Sequence, residues 1–209
     1  MLNLSVIKSA PLVKEPFEFF AVSDVIGEED LAVIQNDFPA IAKPGIYPLA
    51  SLRYGKNFAR LIEEVQSPAL REAIEEKFGV SLAGLPLMIT VRGRAQKSDG
   101  RIHADSKDKV ISCLLYLNGK WDAGGGRLRM LRRRDDINDY EAEISPSGGS
   151  FAAFKVTPHS WHGHEPFVGE RRYIMFNWLR SEEALKYQIG RHKFSARIKK
   201  LLPFFYKGY

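Results

Sequence analysis

Residues 101–121 read RIHADSKDKVISCLLYLNGKW, and the rest of the chain is best read outward from this stretch. Lys109 to Leu117 contains a short, nearly continuous apolar run closed by the turn pair Asn118-Gly119, which predicts a strand. Downstream the same pattern repeats. Arg127 to Leu131, Tyr140 to Ile144, Gly149 to Phe154 and Arg172 to Leu179 are short apolar or alternating runs, and Leu85 to Val91 is another just upstream. The Gly124-Gly125-Gly126 triplet, Pro146 to Gly149 and Gly169-Glu170 punctuate them. Before residue 85 the period is helical. Glu28 to Phe38 carries Leu31, Ile34 and Phe38; Asn57 to Val65 carries Phe58, Leu61, Ile62 and Val65; Pro68 to Phe78 carries Leu70, Ile74 and Phe78. Ser67 suits an N-cap with proline at the first helical position, and Gly79 suits a helix stop. Serial strands after a helical start predict an α+β protein with a β-sandwich or jelly-roll core and helices packed outside.

No internal repeat or linker divides the 209 residues, so a single domain 1–209 is expected: a core at about 85–180, N-terminal helical support at 1–84 and a basic C-terminal extension at 181–209, where Ser181 to Leu202 is again helical in pattern. A chain of this length buries roughly 70% of its unfolded surface, so neither disulfides nor a metal are needed merely to fold. Apolar residues at 44% and charged residues at 27% fit a globular domain and exclude a disordered one. The single cysteine, Cys113, lies inside the central apolar run and cannot form an intramolecular disulfide. The N-terminus lacks the basic start of a secretory signal and is soon interrupted by Lys8, Lys14 and Glu15; no run of 18 apolar residues occurs. A cytoplasmic location is the expectation.

The net charge of +6 is concentrated. From Lys186 to Tyr209 there are seven Lys or Arg and no Asp or Glu. A second cluster, Arg92, Arg94, Lys97 and Arg101, just precedes the quoted stretch, and it reads equally as a solvated loop or as a contact for an anionic substrate. Arg132 to Arg134 run directly into Asp135 and Asp136, which suggests local compensation on a hairpin. No nucleic-acid motif or aromatic–basic stacking platform is recognisable, so nucleic-acid binding is not expected.

The chemistry begins with His103 and Asp105. One residue apart on extended chain, their side chains share a face and can share one metal ion. An imidazole and a carboxylate, completed by a second imidazole from elsewhere, make the facial triad that leaves adjacent positions open on Fe(II) for O2 chemistry. His159, His162 and His164 crowd one later segment and all are candidates for that third place.

Around this pair a series of elements, from about Leu85 to Leu179, resembles the prolyl-4-hydroxylase-like branch of the Fe(II)/2-oxoglutarate oxygenase superfamily. After His103-Ala-Asp105 come CLLYLNGKW (113–121), then Gly125-Gly126-Arg127-Leu128, then PSGGSFAAF (146–154), then His162 followed by Pro166, Arg171-Arg172 and the strand YIMFNW (173–178). The resemblance implies a double-stranded β-helix, with Fe(II) as the metal and 2-oxoglutarate and O2 as co-substrates. It implies His103, Asp105 and His162 as metal ligands, since His162 stands eight residues after Phe154 and four before Pro166; His164 then lines the site and His159 is a loop residue. It also implies an arginine for the distal carboxylate of 2-oxoglutarate, assisted by Tyr116. Arg171 and Arg172 are both placed for this. Alternation puts Arg172 with Ile174, Phe176 and Trp178, an apolar set suited to a barrel interior, so Arg172 is expected and Arg171 is the alternative.

The expected activity is a non-haem dioxygenase, a hydroxylase that releases succinate and CO2 and acts on a small-molecule, sugar or carrier-bound substrate. A peptidyl, prolyl-type hydroxylase and a non-catalytic jelly-roll binding protein are the alternatives. The C-terminal segment Lys186 to Tyr209, with Phe194, Ile198, Leu201, Leu202 and Phe204 among its cations, is expected to pack on the core, form a dimer contact or lie on an anionic membrane surface.

Overall fold

The computed structural model describes residues 1–190. The helical part of the sequence forms α1 (Leu4–Ser9), α2 (Glu28–Asn36), α3 (Lys56–Val65) and α4 (Pro68–Phe78). The start and stop of α4 follow from its end residues: Ser67 Oγ accepts the Leu70 N–H at 3.2 Å, and Gly79 takes the left-handed conformation at φ 60°. The strands are β1 (Phe19–Val22), β2 (Tyr47–Pro48), β3 (Leu87–Ala95), β4 (Lys109–Tyr116), β5 (Leu128–Leu131), β6 (Tyr140–Ile144), β7 (Phe151–Lys155), β8 (His162–Gly163) and β9 (Gly169–Leu179). All pairings between them are antiparallel. They make a six-stranded sheet in the order β1-β7-β4-β9-β3-β2 and a three-stranded sheet in the order β6-β5-β8.

The N-terminal part is more than helical support, because β1 and β2 complete the two edges of the large sheet. Both are too short, at four and two residues, for a period to show in the sequence. Residues 182–190 are helical; the basic tail beyond them lies outside the described residues, so the expectations about a membrane, a dimer or the core do not meet it here. Among the described residues no helix is long and apolar enough to cross a membrane.

The large sheet has two unlike faces, and strand alternation assigns them. Ile111, Cys113 and Leu115 of β4, Phe151 and Ala153 of β7, and Ile174, Phe176 and Trp178 of β9 join Phe58, Leu61, Ile74 and Phe78 of α3 and α4 in one apolar cluster. The intervening residues turn the other way. Leu114, Tyr116, Ala152, Phe154 and Tyr173 pack with Leu128, Met130 and Ile144 of the small sheet in a second cluster. The jelly roll thus has an outer core backed by helices and an inner core between its sheets, and the latter opens at one end into a cleft.

Candidate metal and co-substrate site

The cleft, about 460 Å³, is lined by His103, Asp105, Lys109, Phe154, His162 and Arg171 among others. His103 lies not on a strand, as its spacing to Asp105 suggested, but in an isolated bridge. Its N–H donates to the His162 carbonyl and the His162 N–H donates back, both at 3.0 Å. Asp105 is in the following loop. The two residues therefore converge because a narrow antiparallel pair fixes one and a side-chain network fixes the other. One ligand atom from each of His103, Asp105 and His162 lies within 4.8 Å of the others.

Both imidazoles are oriented. Nδ1 of His103 is 2.9 Å from the Arg101 carbonyl and Nδ1 of His162 is 2.9 Å from the Ser160 carbonyl. A carbonyl only accepts, so Nδ1 carries the proton and Nε2 keeps its lone pair for a metal. The His162 ring packs 4.6 Å from the Phe154 ring. Burial lowers its pKa to about 4, against the attraction of Asp105, so the ring is neutral at ordinary pH. For Asp105, burial alone would raise the carboxyl; the Lys109 cation first, and the Ser112 hydroxyl with it, overcome this and hold the group ionised, well below the usual carboxylate range.

That support was not visible in the sequence. Lys109 Nζ is 3.0 Å from one Asp105 oxygen and Ser112 Oγ bonds the other. A register shift between Lys109 and Ile111 turns the lysine into the cleft, although parity alone would put it with Ile111 on the helix-backed face. Ser112 Oγ also meets the Asn177 amide at 2.8 Å. A hydroxyl has one proton to give, here to the carboxylate. As placed, Asn177 Oδ1 faces the hydroxyl and Nδ2 has no partner; turning the amide over would present its NH2 to Ser112 and satisfy both groups. Two neutral nitrogens and an oriented carboxylate suit a borderline divalent ion such as Fe(II).

The structure reverses the expected order of the two arginines. Arg172 points outward: its guanidinium lies 5.2 Å from the Phe38 ring centroid and pairs with Glu170 at 3.0 Å. Arg171 is the interior residue, 2% exposed, with Tyr173 and Met175 on the same cleft-facing side. The apolar set Ile174, Phe176 and Trp178 faces the helices rather than the barrel, because the helix-backed core is the more apolar of the two. Arg171 Nε donates to the Gly126 carbonyl at 2.9 Å and Nη2 to Tyr116 Oη at 3.2 Å; neither bond uses Nη1. Gly126 can aim its carbonyl there because its φ is +81° and a side chain would meet Trp121. Tyr116 is fully buried, and burial raises its phenol pKa, partly offset by Arg171.

His164 lines the cleft without joining the group of three. Its N–H donates to the Gly100 carbonyl at 2.9 Å, its Nδ1 is 2.7 Å from the Glu165 carbonyl, and burial, followed by Arg171, lowers its pKa to about 4. His159 sits on an exposed turn whose N–H bonds Thr157 Oγ1.

Residues 93–180, which carry every one of these ligands and both arginines, match the 2OG-Fe(II) oxygenase superfamily. The fold is shared with a prolyl-4-hydroxylase of Pseudomonas putida at 17% identity, covering 85% of this chain and 97% of that one with a TM-score of 0.55. It is shared too with HygX of Streptomyces hygroscopicus, solved with nickel and 2-oxoglutarate bound, at 13% identity over 78% of this chain and 82% of that one, with a TM-score of 0.54. None of the curated proteins matches in sequence. The jelly roll and its His-Asp-His group define an oxidoreductase dependent on Fe(II), 2-oxoglutarate and O2. The segment 93–180 is where the 2OG-Fe(II) oxygenase match lies, and prolyl-4-hydroxylases are among the structural neighbours that share the fold.

Proposed function

We propose that this oxygenase hydroxylates a small-molecule or carrier-bound substrate, with Fe(II) held by His103, Asp105 and His162 and the distal carboxylate of 2-oxoglutarate held by Arg171 and Tyr116. The observation that carries this is Arg171 itself. A guanidinium 2% exposed has no carboxylate partner among the described residues, whereas the buried Arg129 pairs with Glu143 and Glu165. Buried charges are kept where they are paired or where a ligand pairs them. With Nε and Nη2 anchored on the protein, the guanidinium is oriented before the ligand arrives.

Bound at the three ligands, Fe(II) with 2-oxoglutarate and O2 supplies the oxidation, in which the co-substrate becomes succinate and CO2 and one oxygen atom enters a C–H bond of the substrate. The chain's own residues bind and orient. Ser112 and Lys109 hold the Asp105 carboxylate, the two backbone carbonyls fix the imidazole tautomers, and Tyr116 keeps its proton as a hydrogen-bond donor. Phe154 and Tyr173 exclude water from the inner wall. The buried free thiol of Cys113 supports a reducing, cytoplasmic setting.

The test is spectroscopic and chemical. Anaerobic protein with Fe(II) should develop a visible charge-transfer band when 2-oxoglutarate is added, and in air it should form succinate slowly even without substrate. His162→Ala should abolish the band and His164→Ala should retain it. Absence of both band and succinate from the wild-type protein would sink the enzyme reading, and the reverse outcome for the two variants would move the third ligand to His164.

A further inference from the structure

Arg92 is the second guanidinium in the cleft, and the site chemistry described above does not use it. It stands on β3 opposite Tyr173 of β9, so both side chains enter the barrel interior, and it lines the same cleft as Arg171 and His103. It is 9% exposed. Asp99 holds one end of it: the Asp99 carboxylate accepts from Arg92 Nη1 and from the Gln96 N–H at 2.9 Å, which ties the loop before His103 to the arginine. The Nε donor is buried with no acceptor among the described residues. An orphaned charged donor is costly, and costs less where a ligand supplies the missing acceptor.

Charge in the cleft points the same way. Among the described residues, the acidic groups that Arg92, Lys109 and Arg171 face in the cleft are Asp105 and, behind Arg92, Asp99. Fe(II) and doubly ionised 2-oxoglutarate cancel one another, so the loaded site retains one positive charge. One 2-oxoglutarate carboxylate needs one guanidinium, and Arg171 is built for it. An adjoining outer recess of about 580 Å³ shares Gly100 and His164 with the cleft and adds Lys97 and Arg101 at its rim. Neither rim cation pairs with a carboxylate among the described residues, whereas Asp99 and Glu165 on the same recess are engaged by Arg92 and Arg129.

We infer that the substrate is a small organic acid whose single carboxylate enters past Lys97 and Arg101 and is anchored on Arg92, leaving its carbon chain to reach the metal. This rests on the function proposed above and assigns its substrate class. Arg92 is then a specificity-determining residue, and Asp99 positions it while damping its charge.

Matched probes test this: butanoate against butanamide and hexanoate against hexanamide. Their binding is measured by calorimetry on protein loaded with Zn(II) and 2-oxoglutarate, with retention of the co-substrate followed separately by equilibrium dialysis. The acids should bind about tenfold more tightly than the amides, as expected for a charge-assisted bond. Arg92→Gln should bring that ratio close to one, and Asp99→Asn, which removes the damping charge but keeps an acceptor for Gln96, should raise it. A ratio near one in the wild-type protein overturns the inference, as does a ratio that survives Arg92→Gln or falls in Asp99→Asn; the last arm decides the matter even if Arg92→Gln fails to fold. Failure to retain 2-oxoglutarate removes the proposed function instead, because retention is governed by Arg171 and is read independently of the probe ratio.

Discussion

The two faces of β9 are made by the same eleven residues and are put to opposite uses. Toward the helices, Ile174, Phe176 and Trp178 fill an apolar core, and at its end Arg172 lies on the rim with Glu170. Toward the small sheet, Arg171, Tyr173, Met175 and Asn177 line or support the cleft. The difference shows where this fold spends its stability and where it keeps its chemistry. Substitutions on one face should register in unfolding and on the other in binding.

The largest expected effect is at Arg171. Arg171→Met removes a buried charge from its ligand and should raise the dissociation constant of 2-oxoglutarate by about 100-fold or more, read by titrating the charge-transfer band. A change under about threefold would break the assignment of the cleft face to co-substrate binding. On the opposite face Ile174→Ala should cost roughly 2–5 kcal/mol in denaturant unfolding while the surviving folded protein binds 2-oxoglutarate normally. Loss of binding without loss of stability would contradict the division between the faces.

Acid sharpens the comparison, because two neutral imidazoles belong to the cleft. His162 and His164 titrate near 4 in the folded chain and near 6.5 when unfolded, so the unfolded state takes up protons first as pH drops. The stability of chelator-treated protein should therefore fall between about pH 6.5 and 4, by up to roughly 3 kcal/mol for each imidazole. His164→Gln should flatten that slope; an unchanged slope would show that its imidazole is not held neutral. Ser112→Ala, which releases one Asp105 oxygen, should weaken metal binding by about tenfold in competition with a chelator. The smallest effect should be at Arg172→Ala: an exposed pair with Glu170 is worth less than about 1 kcal/mol, and 2-oxoglutarate binding should stay within twofold.

Much of this was legible because strands announce themselves by alternation and punctuation. The runs at 109–117 and 140–144 and the helix beginning at Ser67-Pro68 fall where spacing put them, and His103, Asp105 and His162 come together although His103 and Asp105 do not share a strand. What spacing could not supply was the sense of the alternation. A one-residue choice separates Arg171 from Arg172, and hydrophobicity pointed to the wrong face because the helix-backed core is the more apolar one. Lys109 was hidden for a related reason, since a register shift breaks the parity that would have located it. The sequence signal for Lys109 was a charge at the head of an otherwise apolar strand. Asn177, in the apolar strand YIMFNW, offered a similar hint as a polar residue that burial obliges to find a partner.

Cys113 sits on the helix-backed face of β4 with no exposed surface, and burial raises its thiol pKa well above the ordinary value. A thiol reagent acts on the thiolate and needs access, so the native chain should resist alkylation. Labelling would require the helix-backed core around Cys113 to open. Because the protein has no other cysteine, its rate of alkylation is a direct clock for opening of the outer core, one that does not depend on the state of the cleft on the other side of the same sheet.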